Sequence, residues 1–97
     1  MTLDEFRASL TEDAPPEGSS PALAALWYDA NSDWHRAHTI LQDDEGADGA
    51  WAHAYLHRVE GDLPNAGYWY RRANRAPSGA PLEEEWSAIA QELLARS

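Results

Sequence analysis

The chain contains no cysteine and no lysine, so its seven basic residues are all arginine. The absence of cysteine excludes disulfides and thiolate chemistry. No apolar run approaches the roughly 20 residues that span a bilayer. The acidic amphipathic start, Met1 to Leu10, does not have the pattern of a signal peptide. These absences predict a cytoplasmic protein without a membrane span.

Positive charge is scarce, because 17 acidic residues against seven arginines give a formal net charge of −10. Nucleic-acid binding depends on cationic contacts with phosphate, and anionic membranes attract basic segments. The charge therefore argues against both classes of partner. Apolar residues make up 43% of the chain, which argues against disorder. Five Trp and four Tyr can fill a small core or an interface.

Apolar residues recur at helical spacing, and no segment alternates with the period of two that is typical of a strand. The pattern predicts an all-α fold of about five helices in one domain that covers residues 1–97. Its predicted parts are an N-terminal helix and linker (1–21), two stacked antiparallel helical hairpins (22–76) and a C-terminal helix (81–97). An acidic loop over 43–49 is expected between the two hairpins, with the next helix beginning near Ala50.

Two segments match at an offset of 29 residues, which suggests a repeated helical hairpin. The matching pairs are Asp33/Asp62, Trp34/Leu63 and Ala37/Ala66. They indicate an N-cap, an apolar residue that packs back on the preceding helix, and a small residue at a close helix crossing. The spacing Ala66-x3-Tyr70-x2-Ala73-x3-Pro77 resembles the second helix of a tetratricopeptide-type repeat. The first hairpin departs from that pattern, because Leu41 stands where the aromatic belongs and no proline closes it.

A second resemblance rests on longer strings of the sequence. The strings ALWYDANSD, WHRAH, WAHAYLHR and YWYRRA are similar to those of a small family of uncharacterised bacterial and fungal helical proteins, with the pattern HAYLHR…EGD…YWYRRA. The resemblance covers about residues 22–77. It implies a helical fold and no particular reaction.

All four histidines occur in two pairs at helical spacing. His53 and His57 share a helix face one turn apart, and Glu60 continues that face. In a stack of hairpins the helix of His38 lies beside the helix of His53 and His57. His38, His53, His57 and Glu60 together are a candidate divalent-metal site, and no other cofactor is expected. The favoured interpretation is that His38 is a hydrogen-bonded core histidine and that the other two form a partly exposed polar face.

The only basic cluster contains Arg71, Arg72 and Arg75, with Arg58 upstream. Arginines in such a cluster bind a carboxylate or phosphate through paired hydrogen bonds. The alternative is that they form ion pairs with the protein's own acidic residues. The candidate ligand-binding residues are His38, His53, His57, Arg58, Tyr70 and Arg71.

Three consecutive aromatic residues, Tyr68, Trp69 and Tyr70, point to different sides of a helix. At least one should therefore lie off the core. An aromatic ring beside arginine is a common composition of binding hot spots. The alternative is that the C-terminal helix covers it through Trp86.

No catalytic residue is assigned, because the chain has no Ser-His-Asp pattern, phosphate-binding glycine loop or nucleotide fingerprint. Enzymatic activity is therefore not expected. The favoured hypothesis is a small helical protein-interaction or scaffolding module, with a protein partner or a second copy of itself. The alternative hypothesis is a metal- or small-molecule-binding protein with a His-rich site between the hairpins, for which hydrolysis is the reaction to consider.

Overall fold

The fold was examined in a computed structural model, which describes residues 1–96. Over that range the chain forms helices and no strand, which confirms the predicted all-α class. A single turn of 3-10 helix, Ser9–Thr11, extends the first helix. The six α-helices are α1 (Leu3–Ala8), α2 (Pro21–Ala30), α3 (Trp34–Leu41), α4 (Ala47–Val59), α5 (Leu63–Ala73) and α6 (Leu82–Arg96).

Four of these helices have a side chain that caps the helix N-terminus. Thr2 and Glu5 form a reciprocal capping box at α1. The side chains of Ser20, Asp33 and Asp62 accept a hydrogen bond from the backbone N–H three residues on, at the starts of α2, α3 and α5. The starts of these four helices are therefore determined by local hydrogen bonds and do not depend on packing between helices.

The start of α4 differs from the prediction of an acidic loop over 43–49. The helix begins at Ala47, three residues before the expected position. The Asp44 carboxyl group packs against Gly49, where a Cβ would lie 2.5 Å from the Asp44 Cγ. A residue that suggests a loop in the sequence is thus helical here, and a larger residue at this position would require the Asp44 side chain to move.

Helix α4 occupies the centre of the molecule, and it contacts α2, α3, α5 and α6. Every residue of α4 from Gly49 to His57 is buried. Phe6 of α1 packs against Trp86 of α6 with ring centroids 5.8 Å apart. The indole N–H of Trp86 donates to the Leu26 carbonyl at 2.9 Å, which joins α6 to α2. One continuous core therefore includes residues of all six helices.

Among the helices of residues 1–96, none has both the length and the apolar content that crossing a bilayer requires.

Candidate metal centre

Three imidazoles come together where α3 lies against α4. Each of His38, His53 and His57 offers one ring nitrogen, and these three nitrogens lie within 4.8 Å of one another. His53 and His57 are buried on α4, one turn apart, and His38 is half-buried on α3. The structure thus brings together three of the four residues that the sequence suggested as metal ligands.

The closest pair consists of His38 and His53, whose Nε2 atoms are 3.0 Å apart. Their rings are nearly perpendicular, at 89°. Two neutral imidazoles share a proton at this distance, so one ring donates and the other accepts. Nitrogens bound to one tetrahedral zinc ion at about 2.0–2.1 Å are roughly 3.3 Å apart. A metal ion would therefore require these two nitrogens to separate by only a few tenths of an ångström.

Glu60, the fourth predicted ligand, contacts His57 in a different way. Its Oε1 is 2.5 Å from the Nδ1 of His57, so Nε2 is the nitrogen of His57 that remains for a metal ion. Ligating histidines characteristically donate their other ring N–H to a carboxylate, which fixes the tautomer and raises ligand basicity. Glu60 thus lies where a residue that orients His57 would lie, rather than among the three clustered nitrogens.

A second group of potential ligands shares His57 with the first. Glu60 and Asp62 each offer an oxygen within 4.8 Å of a ring nitrogen of His57 and of one another. The Asp62 carboxylate already accepts from the backbone N–H of Asn65 at 3.3 Å, as the cap of α5. Unlike Asp62, Glu60 does not cap a helix with its side chain.

Two tryptophans enclose the imidazoles. The ring of Trp69 stacks on His53 at 3.8 Å, and the ring of Trp34 stacks on His38 at 4.9 Å. The Trp34 indole N–H donates to the Leu56 carbonyl at 2.7 Å, which fixes its orientation. Sequence analysis did not include either ring in the site. The signal for Trp34 was present, because it lies four residues before His38 and so on the same helix face.

Burial and neighbouring charges favour the neutral form of two of the three imidazoles, His53 and His38. Burial lowers the pKa of His53 to about 4, and the nearby His38, His57 and Arg72 act in the same direction. Burial and the charge of His57 also lower the pKa of His38, although Glu60 opposes them. Metal ions bind neutral imidazole, and protons compete with them for the same nitrogen. His38 and His53 are therefore in the neutral, metal-binding form at neutral pH.

One polar atom of the cluster lacks a partner. The Nδ1 of His53 is buried, and it has no hydrogen-bond partner among the described residues. His53 itself is only 4% exposed. Buried polar atoms of native proteins are paired in the large majority of cases. His53 thus lacks the hydrogen bond on its other ring nitrogen that ligating histidines usually make and that Glu60 provides for His57.

The other candidate ligand residues lie outside the imidazole cluster. Arg58 donates to Glu85 at 2.6 Å and to the Ala80 carbonyl at 2.6 Å, and the Tyr70 hydroxyl donates to the same Glu85. This group, called here the Glu85 network, is buried between α4, α5 and α6. Arg71 is exposed, and none of the ion pairs among residues 1–96 involves it. Arg58 and Tyr70 thus have a structural partner that the sequence did not reveal.

The three consecutive aromatic residues of α5 have three different environments. Tyr70 is 1% exposed, Trp69 is half-buried, and Tyr68 is 45% exposed. The Arg72 guanidinium lies 5.0 Å from the centre of the Trp69 ring and also donates to the Tyr68 hydroxyl at 3.3 Å. Tyr68 is therefore the ring that lies off the core, beside an arginine.

Comparisons of this chain with protein-family models, with curated proteins and with solved structures give no match. The function proposed below is therefore supported by the geometry of the site alone.

Proposed function

We propose that this protein binds one divalent transition-metal ion of the zinc class through His38, His53 and His57. The observation that carries the proposal is the convergence of three imidazole nitrogens within 4.8 Å in a largely buried place. Imidazole is a preferred ligand of zinc, copper, nickel and iron, whereas calcium and magnesium prefer oxygen. Glu60 orients His57 through Nδ1.

Three protein ligands leave a fourth coordination position for water or another small ligand. Catalytic zinc sites have this composition, and structural zinc sites usually have four protein ligands. The composition therefore supports binding of an exchangeable ligand at the metal, with hydrolysis as the reaction to assay first. The half-buried ring of His38 lies on the more accessible side of the cluster.

The experiment is a zinc titration of the metal-stripped protein in competition with a chromophoric chelator. We expect one zinc ion per chain and a loss of affinity of at least 100-fold in each of His53→Gln and His57→Gln, because each removes a ligand. Glu60→Gln keeps all three ligands, and its expected loss is about 10–100-fold. Cobalt substitution should give the visible absorption of a tetrahedral site in the wild type and in neither His53→Gln nor His57→Gln.

His35→Gln is the matched control, because His35 belongs to the same helix as His38 and is exposed. It should bind zinc like the wild type. Circular dichroism should show that each variant is folded, and His38→Gln replaces any variant that is not. Equal zinc affinity of the wild type and of two folded ligand variants would disprove the metal site.

We also propose that α2–α3 and α4–α5 form the two stacked, tetratricopeptide-like hairpins expected from the sequence. In support, the helices of each pair contact each other, and α4 contacts both α2 and α3. The repeated small residues Ala37 and Ala66 are buried, as close helix crossings require. In this arrangement the imidazole cluster lies between the two hairpins.

A second candidate function is self-association through the outer face of α5. Leu63 is 64% exposed and Tyr68 is 45% exposed, and α5 carries Arg71 and Arg72 with no acidic residue. The arginines of one copy can pair with acidic side chains of another, of which each chain has 17, while the net charge of −10 on each copy opposes association. Sedimentation velocity at physiological salt, where this repulsion is screened, should show a dimer that the double substitution Leu63→Ser/Tyr68→Ser dissociates. A weak interface has a Kd on the order of 100 μM. A wild type that is still monomeric at that concentration would exclude this function.

A further inference from the structure

A second concave site lies on the other side of α4, where α1, α2, α4 and α6 meet. Its volume is about 410 Å³, within the range of about 300–1,000 Å³ that is common for small-molecule sites. Leu10, Ala30 and Trp86 provide apolar lining, and Arg7, Asp29, Tyr55 and Glu83 provide polar groups. None of these residues belongs to the imidazole cluster.

Three charged residues line this cleft, namely Arg7, Asp29 and Glu83, and none of them takes part in an ion pair among residues 1–96. Arg7 donates to the hydroxyl of Ser87, a neutral group, and is otherwise exposed. Each charge therefore retains hydrogen-bonding capacity that faces the cleft.

Asp29 is half-buried, and the Tyr55 hydroxyl is its hydrogen-bond partner. Burial raises the pKa of the Asp29 carboxyl group, and the bond from Tyr55 opposes this effect. A partly desolvated carboxylate without a cation is unfavourable, and a charged partner that reaches it gains more than it would in water. An ammonium group in the cleft would supply that partner.

The apolar wall is rigid. Trp86 is 6% exposed, and its indole N–H is held by the Leu26 carbonyl. The Phe6 ring supports it from behind. A fixed aromatic surface beside charged groups accommodates an apolar side chain without ordering cost in the protein.

We infer that this cleft binds a small zwitterion with an apolar side chain, that is, an apolar α-amino acid. Arg7 pairs with the carboxylate of the ligand through its guanidinium. Asp29 pairs with the ammonium group, and the side chain packs against Leu10 and Trp86. The assignment uses charges of both signs among the lining residues, which neither a simple amine nor a simple acid would do, and Glu83 adds a second carboxylate to the cleft. It is independent of the proposed metal site.

The experiment compares three probes that share one phenyl group, namely L-phenylalanine, 2-phenylethylamine and 3-phenylpropionate. Each is titrated into the full-length protein in the presence of a chelator, and the indole N–H signal of Trp86 is followed by NMR, assigned with Trp86→Phe. We expect a saturable shift with phenylalanine and at least tenfold weaker binding of each singly charged probe. Binding of an amine or acid as tight as that of phenylalanine, or no saturable shift at all, would overturn the proposal.

Two variants separate the roles of the charges. Asp29→Asn should weaken phenylalanine at least tenfold and leave 3-phenylpropionate unchanged, whereas Arg7→Gln should weaken both carboxylate probes. Asp43→Asn, in an exposed turn, is the matched control and should change nothing. His57→Gln should also bind phenylalanine normally, which distinguishes the cleft from amino-acid chelation of a metal at the imidazoles. Unchanged phenylalanine affinity in both Asp29→Asn and Arg7→Gln would disprove the assignment.

Discussion

Glu85→Ala is expected to lower the free energy of unfolding by about 3–5 kcal/mol, because it breaks a buried ion pair from one side. Glu85 is 5% exposed, and it accepts from both Arg58 and the Tyr70 hydroxyl. Its removal leaves the Arg58 guanidinium buried with the Ala80 carbonyl as its remaining partner. Since domains of this size are stable by only about 5–15 kcal/mol, this loss is a large fraction of the total stability.

Urea denaturation measures the effect, and Glu84→Ala is the matched control because Glu84 precedes Glu85 on α6 and is exposed. The control should change stability by less than about 0.5 kcal/mol. The triple substitution Arg58→Met/Tyr70→Phe/Glu85→Leu removes every polar member together and should recover most of the loss, since apolar groups of similar volume often replace a buried ion pair without penalty. Equal stability of the Glu85 and Glu84 variants would contradict the role of the Glu85 network.

The class of fold was predictable because its signals are local. Thr2, Ser20, Asp33 and Asp62 each act within three residues of the helix that they cap, and the apolar spacing of each helix needs no information about its neighbours. The start of α4 was not predictable in the same way. Gly49 lies inside the helix with the Asp44 side chain in the space of its Cβ, and a sequence pattern does not contain that contact.

In the candidate site, too, residues related by local spacing were predictable and contacts between distant residues were not. His53 and His57 lie on one helix, so their spacing alone placed them one turn apart, and His38 followed from the expectation that its helix lies beside theirs. The stacking of Trp69 on His53 depends on how α5 is turned against α4, which helical spacing does not determine. Arg58 and Tyr70 were assigned to a ligand because their partner, Glu85, is 27 and 15 residues away in the chain.

The second large effect is a zinc-dependent rise in thermal stability. A ligand that binds only the folded state adds about 2.7 kcal/mol to the free energy of unfolding when its free concentration is 100 times Kd. For a domain of 60–100 residues each kcal/mol corresponds to about 4–8 °C in Tm. Zinc at that concentration should therefore raise the Tm of the wild-type protein by about 10–20 °C. The ion would link α3 to α4 through His38 and His53, so zinc stabilises only the folded state.

Differential scanning calorimetry of the metal-stripped protein, with and without zinc, provides the measurement. His35→Gln should show the same rise as the wild type, because an exposed histidine is not part of the cluster, while His57→Gln should show little or none. Calcium, which prefers oxygen ligands, should have no effect on either protein. A similar rise in His57→Gln would mean that zinc acts at other groups, and a rise with calcium would point to the acidic surface of the chain. Only a rise that needs zinc and the clustered imidazoles together locates the ion between α3 and α4.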